Sequence, residues 1–197
     1  MILLEETQVA DAALPITELR QHLRLGTGFA EDDLQTPVLA SFLRAAMAAV
    51  EGRTGKALLA RDFVLTLDAW RNHEGQSLPV APVQQVTSIS IVDAEARVTA
   101  MPAESVLVER NAFAPVVRPK TTRLPAIPPK GRAEIRFRAG YGDMFADVPA
   151  DLGQAVLLLA AHYYEYRDET ALGQGCMPFG VTSLLARYAP MRLGMGA

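Results

Sequence analysis

A chain of 197 residues, half of them hydrophobic, is long enough to bury a core and too apolar for wholesale disorder. Its formal net charge of -3 argues against a generally basic nucleic-acid binder, and its single cysteine, Cys176, excludes an internal disulfide framework. No histidine stands near Cys176 to activate it, and the opening MILLEETQVADAAL carries acids where a signal peptide carries bases, so an inert thiol in a cytoplasmic product is expected.

Behind a short leader, Pro15 to Leu25 has the spacing of a small helix: Thr17 can cap it, Leu19 and Leu23 share a face, and Gly26 is placed to end it. GTGFAEDD reads as a loop. A second helix is expected from Thr36 to about Thr54, with Thr36 as cap and Pro37 at the first position. Leu39, Phe42, Leu43, Ala46 and Val50 lie on one face, and Gly55 stops the run. The many alanines of this helix leave it thin and allow a neighbour close.

The period then changes from three and four to two. Arg61 to Leu67 reads as a strand closed by Trp70, and Val86, Ile89 and Ile91 mark a second. Asp93 to Arg97 is a turn; Val98 to Met101, Ser105 to Glu109, Phe113 to Val117 and Ala133 to Arg138 are further strands. Arg118 to Gly131 contains four prolines and is expected as an extended loop.

The strongest signal is DVPADLGQAVLLLAAHYYEYR, Asp147 to Arg167, a long helix that starts at Pro149. Leu152, Val156, Leu159, Tyr163 and Tyr166 form one stripe, while everything from Ala155 to Ala161 is apolar. Such a helix wants protein partners on several sides, the helix at 36–54 among them. The uncharged run is too short for a bilayer, which needs about 20 apolar residues. The fold class is α+β, a small helical bundle with an inserted antiparallel β-subdomain. The expected divisions are N-terminal helices at 1–57, the β-insertion at 58–140, the long helix at 141–170 and a C-terminal segment at 171–197.

Motifs for catalysis or metal binding are missing from the sequence. GRTGK at 52–56 lacks two residues and the Ser or Thr of a phosphate-binding loop, and AGYG at 139–142 is a corner rather than a dinucleotide fingerprint. His22, His73 and His162 have no partner at metal-ligand spacing. No catalytic residue, cofactor or metal is expected. From Arg118 to Arg138 there are seven bases (Arg118, Lys120, Arg123, Lys130, Arg132, Arg136 and Arg138) against Glu134 alone, so this segment carries +6 and the remainder -9. Either it is a solvated face, or Arg118, Lys120, Arg123, Lys130 and Arg132 meet DNA or an acidic neighbouring subunit without reading sequence. The end-piece PFGVTSLLARY likewise either folds back on its own core or docks in another protein.

Taken together these segments resemble the head–tail connector (adaptor, or neck) proteins of long-tailed bacteriophages and of phage-derived gene transfer agents. The likeness runs through most of the chain: PITELRQHLRL, an acidic loop, a helix ending EGRTGKAL, a strand closing at Trp70, LPVAPVQQVTSISIVD, FRAGYGD, VPADLGQAVLLLAAHYYEYRD and PFGVTSLLARY. It implies a structural protein that forms a homo-oligomeric ring, commonly dodecameric, between the portal protein and a stopper or tail-completion protein, with DNA passing through. It implies assembly in the host cytoplasm, residence in the particle neck, and no membrane partner. It also implies that Phe179, Val181, Leu184, Leu185, Arg187 and Tyr188 contact the portal as a docking arm, and that subunits of the ring meet first at Gly153, Leu157 and Ala160, with Leu39, Leu43 and Ala46 on the companion helix. On this reading, deleting residues 179–197 is expected to spare folding and abolish portal attachment. Two readings of other classes stay open: an enzyme or accessory subunit with a substrate groove between the helices and the β-insertion, using His162, Tyr163 and Glu165, and a sequence-blind DNA-binding module using 118–138.

Overall fold

A computed structural model describes residues 1–25, 32–167 and 177–188. The fold is α+β, in two compact units: Met1–Val9 with Leu59–Asp143, and Ala10–Leu58 with Met144–Ala197.

The first unit is built of strands β1 (Ile2–Glu5), β2 (Arg61–Leu67), β3 (Gln76–Ser77), β4 (Val83–Val92), β5 (Val98–Met101), β6 (Val106–Glu109), β7 (Val116–Pro119) and β8 (Arg132–Ala139). A five-stranded sheet runs in the order β1-β2-β8-β4-β5 and a three-stranded one in the order β3-β7-β6, with every pairing antiparallel. Alternation decides the faces. Along β8, Ala133, Ile135, Phe137 and Ala139 are buried while Arg132, Glu134, Arg136 and Arg138 point the other way. Their partners on β2 follow suit: Phe63 faces Phe137, Leu65 faces Ile135 and Leu67 faces Ala133, and the two phenyl rings stack 5.6 Å apart. Each of these buried aromatics contributes roughly 1.5–3 kcal/mol.

Three features depart from the sequence reading. The leader is not loose, because Ile2–Glu5 adds β1 to the open edge of β2. The strand expected at Phe113 begins at Val116, since Asn111 turns the chain there by accepting from the N–H groups of Phe113 (2.8 Å) and Ala114 (3.1 Å). The two-residue β3 is too short to leave a pattern. The proline-rich segment gives its first residues to β7 and is then tied down: Trp70 donates its indole N–H to the Pro125 carbonyl at 2.6 Å, and Leu124 N–H donates to His73 O at 2.8 Å.

The corner after β8 closes the unit. Gly140 has φ 136°, and its N–H donates to Pro82 O at 2.9 Å. Ala60 N–H donates to Gly142 O at 2.7 Å. A Cβ on Gly140 would lie 2.4 Å from the Ala60 backbone, so only glycine fits.

The second unit holds α1 (Ile16–His22), α2 (Asp32–Thr54), α3 (Ala150–Glu165) and α4 (Phe179–Leu185). Pro15, not Thr17, stands at the N-cap of α1. The helix unwinds through Arg24, which takes the left-handed conformation (φ 55°) while Leu25 N–H reaches Arg20 O at 3.1 Å. Gly26 lies outside the described residues. Helix α2 begins at Asp32, so Thr36 and Pro37 are inside it and the hydrogen bond that Pro37 cannot donate is forgone. Thr36 serves instead as acceptor for the Arg20 guanidinium at 2.8 Å. Gly55 ends α2 as expected, with φ 67° and its N–H on Glu51 O at 2.8 Å.

Helices α2 and α3 pack against each other. Leu39, Leu43, Ala46 and Val50 of one, and Leu152, Val156, Leu159 and Ala160 of the other, are fully buried, and Phe42 meets Tyr164 edge to face at 6.0 Å. Helix α4 lies on α3, turning Val181 and Leu185 inward, and the 3-10 turn that follows buries Tyr188.

Candidate functional site

The expected subunit-contact residues are mostly closed off within the protomer. Leu39, Leu43, Ala46 and Ala160 have no exposed surface. Gly153 is buried beneath the Phe145 ring, which a Cβ there would meet at 3.5 Å. Leu157 alone of the six keeps partial exposure.

The end-piece residues divide into two sets. Val181, Leu185 and Tyr188 face the protein's own helix α3, which is the fold-back arrangement. Tyr188 donates its hydroxyl to Asp151 Oδ1 at 2.7 Å, and the Arg187 guanidinium pairs with Asp151 Oδ2 at 3.2 Å while stacking on the Tyr188 ring. Asp151 was legible only as an acid in the first turn of a helix; its hold on a segment 37 positions away left no trace in local pattern. Outward-facing are Phe179, 89% exposed, and the half-buried Leu184.

The basic segment is likewise split, by acids both near in sequence and, in Glu6 and Asp62, far from it. Arg118 pairs with Glu109 at 2.6 Å and Arg132 with Glu134 at 2.8 Å. Arg136 bridges Glu6 (2.9 Å) and Glu134 (3.3 Å), and Arg138 bridges Asp143 (2.5 Å) and Asp62 (3.6 Å). The hydrogen bond from Arg132, reinforced by the charge of Arg136, holds the Glu134 carboxyl below its ordinary range. Lys120, Arg123 and Lys130 are exposed and have no acidic partner among the described residues. The segment's free charge is therefore concentrated on those three.

Of the three residues named for the enzyme reading, His162 and Glu165 come together and Tyr163 does not join them. A cavity of about 280 Å³ is lined by His22, Leu158, His162, Glu165, Tyr166 and Val181, and Tyr163 is not part of it. Burial pushes the Tyr163 phenol up, away from use as a base near neutrality. Among the described residues no group of three or more His, Cys, Asp or Glu is placed to hold a metal, and no helix is long and apolar enough to cross a membrane.

Comparison with known proteins gives a consistent result. Neither a protein-family model nor a curated protein matches the chain. Solved structures do match it, over its whole length. A chain in the neck of an empty gene transfer agent particle, computed with C6 symmetry, is 47% identical, with 100% of this chain and 99% of that one covered and a TM-score of 0.90. A chain in the virion of a native gene transfer agent particle is 46% identical over the same shares at a TM-score of 0.86. A third, in the neck of a native particle computed with C12 symmetry, is 43% identical, again over 100% and 99%, at 0.84. A two-unit α+β chain with these likenesses falls in the class of structural neck subunits. Identity at this level over the whole length places it further: the chain belongs to the neck, or head–tail connector, proteins of phage-derived gene transfer agents. The sequence resemblance extended to phages as well; these neighbours all come from gene transfer agents.

Proposed function

We propose that the chain is one subunit of a homo-oligomeric ring, a dodecamer, that joins the portal protein to a stopper or tail-completion protein and lets DNA pass without reading its sequence. The ring assembles in the host cytoplasm and stays in the particle neck, and the protein has no enzymatic role. The observation that carries this reading is the full-length likeness to chains from necks computed with C6 and C12 symmetry. Native mass spectrometry with and without portal protein tests it: a ring that joins the portal is the expected result. A chain that stays monomeric and never binds portal would sink the proposal.

Contact with the portal falls to the outward side of the end-piece, Phe179 and Leu184 with Arg187, while Val181, Leu185 and Tyr188 hold that side in place. Phe179→Ala with Leu184→Ala is expected to lower stability by only about 1 kcal/mol, nearly all of it from the half-buried Leu184. It should weaken portal binding about tenfold or more, as loss of an exposed aromatic anchor does. Unchanged co-sedimentation with portal would move the docking surface elsewhere.

For the charged segment, Lys120, Arg123 and Lys130 are the residues available to DNA or to an acidic neighbour. Reversing all three to Glu is expected to lower assembly or retention of packaged DNA, most strongly at low salt. Reversing Arg118 or Arg132 instead should act mainly through lost ion pairs with Glu109 and Glu134. No response of the triple variant at any ionic strength would leave those three as solvated surface.

A further inference from the structure

We infer that the two free edges of the five-stranded sheet, β1 and β5, join neighbouring copies of this chain strand to strand. The inference rests on the ring reading above and names the surface that would close the ring. A head-to-tail ring needs two different complementary surfaces on one chain, and a sheet with two open edges supplies such a pair. Here β1 and β5 are the outer members of the order β1-β2-β8-β4-β5, and each spans four residues. The second sheet offers no matching pair, because its edge strands β6 and β3 have four and two residues.

Backbone groups on both edges are free. Glu6 N–H donates to Asp62 O at 2.8 Å, one position beyond the pair Glu5 and Phe63. Bonded pairs alternate along an antiparallel ladder, so Leu4 and Ile2 bond inward and the N–H and C=O groups of Leu3 and Glu5 point away from β2. On the far edge Asp93 N–H donates to Arg97 O at 3.1 Å; the same alternation leaves Val98 and Ala100 pointing away from β4. The backbone N–H and C=O groups of these four residues have no hydrogen-bond partner among the described residues.

The side chains agree. Ile2 stands across from Thr66, then Glu134, Ser90 and Ala100, so one face of the sheet carries Ile2 and Leu4 at one margin and Val98 and Ala100 at the other. Ile2, Leu4 and Val98 are 59%, 57% and 65% exposed. Edges that must stay single are usually guarded by Lys, Pro or a bulge, and neither strand has one of these. Glu5, the only charge on either strand, is already paired with Arg61 at 2.9 Å. Joining β5 of one copy to β1 of the next would satisfy the free backbone groups and cover these aliphatic side chains together.

Cysteine cross-linking inside assembled particles tests this. Paired strands lie about 4.8 Å apart, within the Cα separation a disulfide tolerates. In a Cys176→Ser background, one chain would carry Ile2→Cys or Leu4→Cys together with Val98→Cys or Ala100→Cys, giving four combinations. At least one is expected to yield a ladder of covalent multimers on non-reducing gels after oxidation, with the single-edge cysteine variants remaining monomeric. Necks that contain the protein but form no ladder in any combination overturn the edge pairing and leave the ring intact. Dimers from a single-edge variant, or cross-links to another neck protein, overturn it as well. Absence of the wild-type chain from the neck would be a failure of the ring reading instead.

Discussion

Replacing Gly140 with alanine is expected to cost about 3–5 kcal/mol, a large part of the roughly 5–15 kcal/mol that holds a domain folded. Two costs combine. At φ 136° an L-residue is strained, and such backbone strain is worth on the order of 1–3 kcal/mol. The added methyl would also stand 2.4 Å from the Ala60 Cα and N and 2.5 Å from the Leu59 carbonyl carbon, all backbone atoms that cannot swing aside. Relieving that overlap means parting the Leu59–Gly142 bridge and the hydrogen bond from Ala60 to Gly142, a further ~1–3 kcal/mol of overpacking. Urea denaturation reads the effect directly. Gly52→Ala is the control, since Gly52 is helical with open space where its Cβ would go, and this change should be stabilising by about 0.5–1 kcal/mol. Equal midpoints for wild type and Gly140→Ala would show that the corner has more freedom than its geometry allows.

The same corner shows what the sequence could and could not disclose. AGYG was readable as a turn because Gly punctuates a strand whose inward residues, Ile135 and Phe137, alternate cleanly with arginines. Strand β8, helix α3 and the Gly55 stop were legible for that reason: each is specified by its own neighbours. The hidden features depend on residues far apart. Strand β1 has only four residues, and two of its three aliphatic side chains are exposed, so nothing local separates it from a leader. The +6 segment suggested one basic surface, because pairing with Glu6, Asp62 and Glu109 is a consequence of sheet register and not of spacing. Likewise, apolar spacing proposes a face but cannot say whether its own chain or another covers it. Leu39, Leu43 and Ala46 were assigned to a neighbour, and the protomer buries them itself.

Removing the chain from residue 177 onward is expected to lower stability by about 5 kcal/mol or more, although the sequence alone suggested that deletion from 179 would spare folding. Val181, Leu185 and Tyr188 are buried, and covering such side chains is worth roughly 1.5–3 kcal/mol each. Tyr188 adds a hydrogen bond to the Asp151 carboxylate, in the range of about 1.5–3 kcal/mol for a bond to a charged group. Without α4 the face of α3 that lines the cavity, Leu158, Ala161 and His162, opens to water. A truncated chain that fails to join a portal would thus confound lost docking with a damaged bundle. Val181→Asp with Leu185→Asp separates the two, because it keeps the outward Phe179 and Leu184 in the chain while placing two carboxylates against α3. That variant should melt like the truncation and, if Phe179 and Leu184 act only while α4 is held on α3, lose portal binding with it. Retention of wild-type thermal stability by both variants would mean that α4 is held weakly on α3, and would favour a segment that leaves its own bundle to reach its partner.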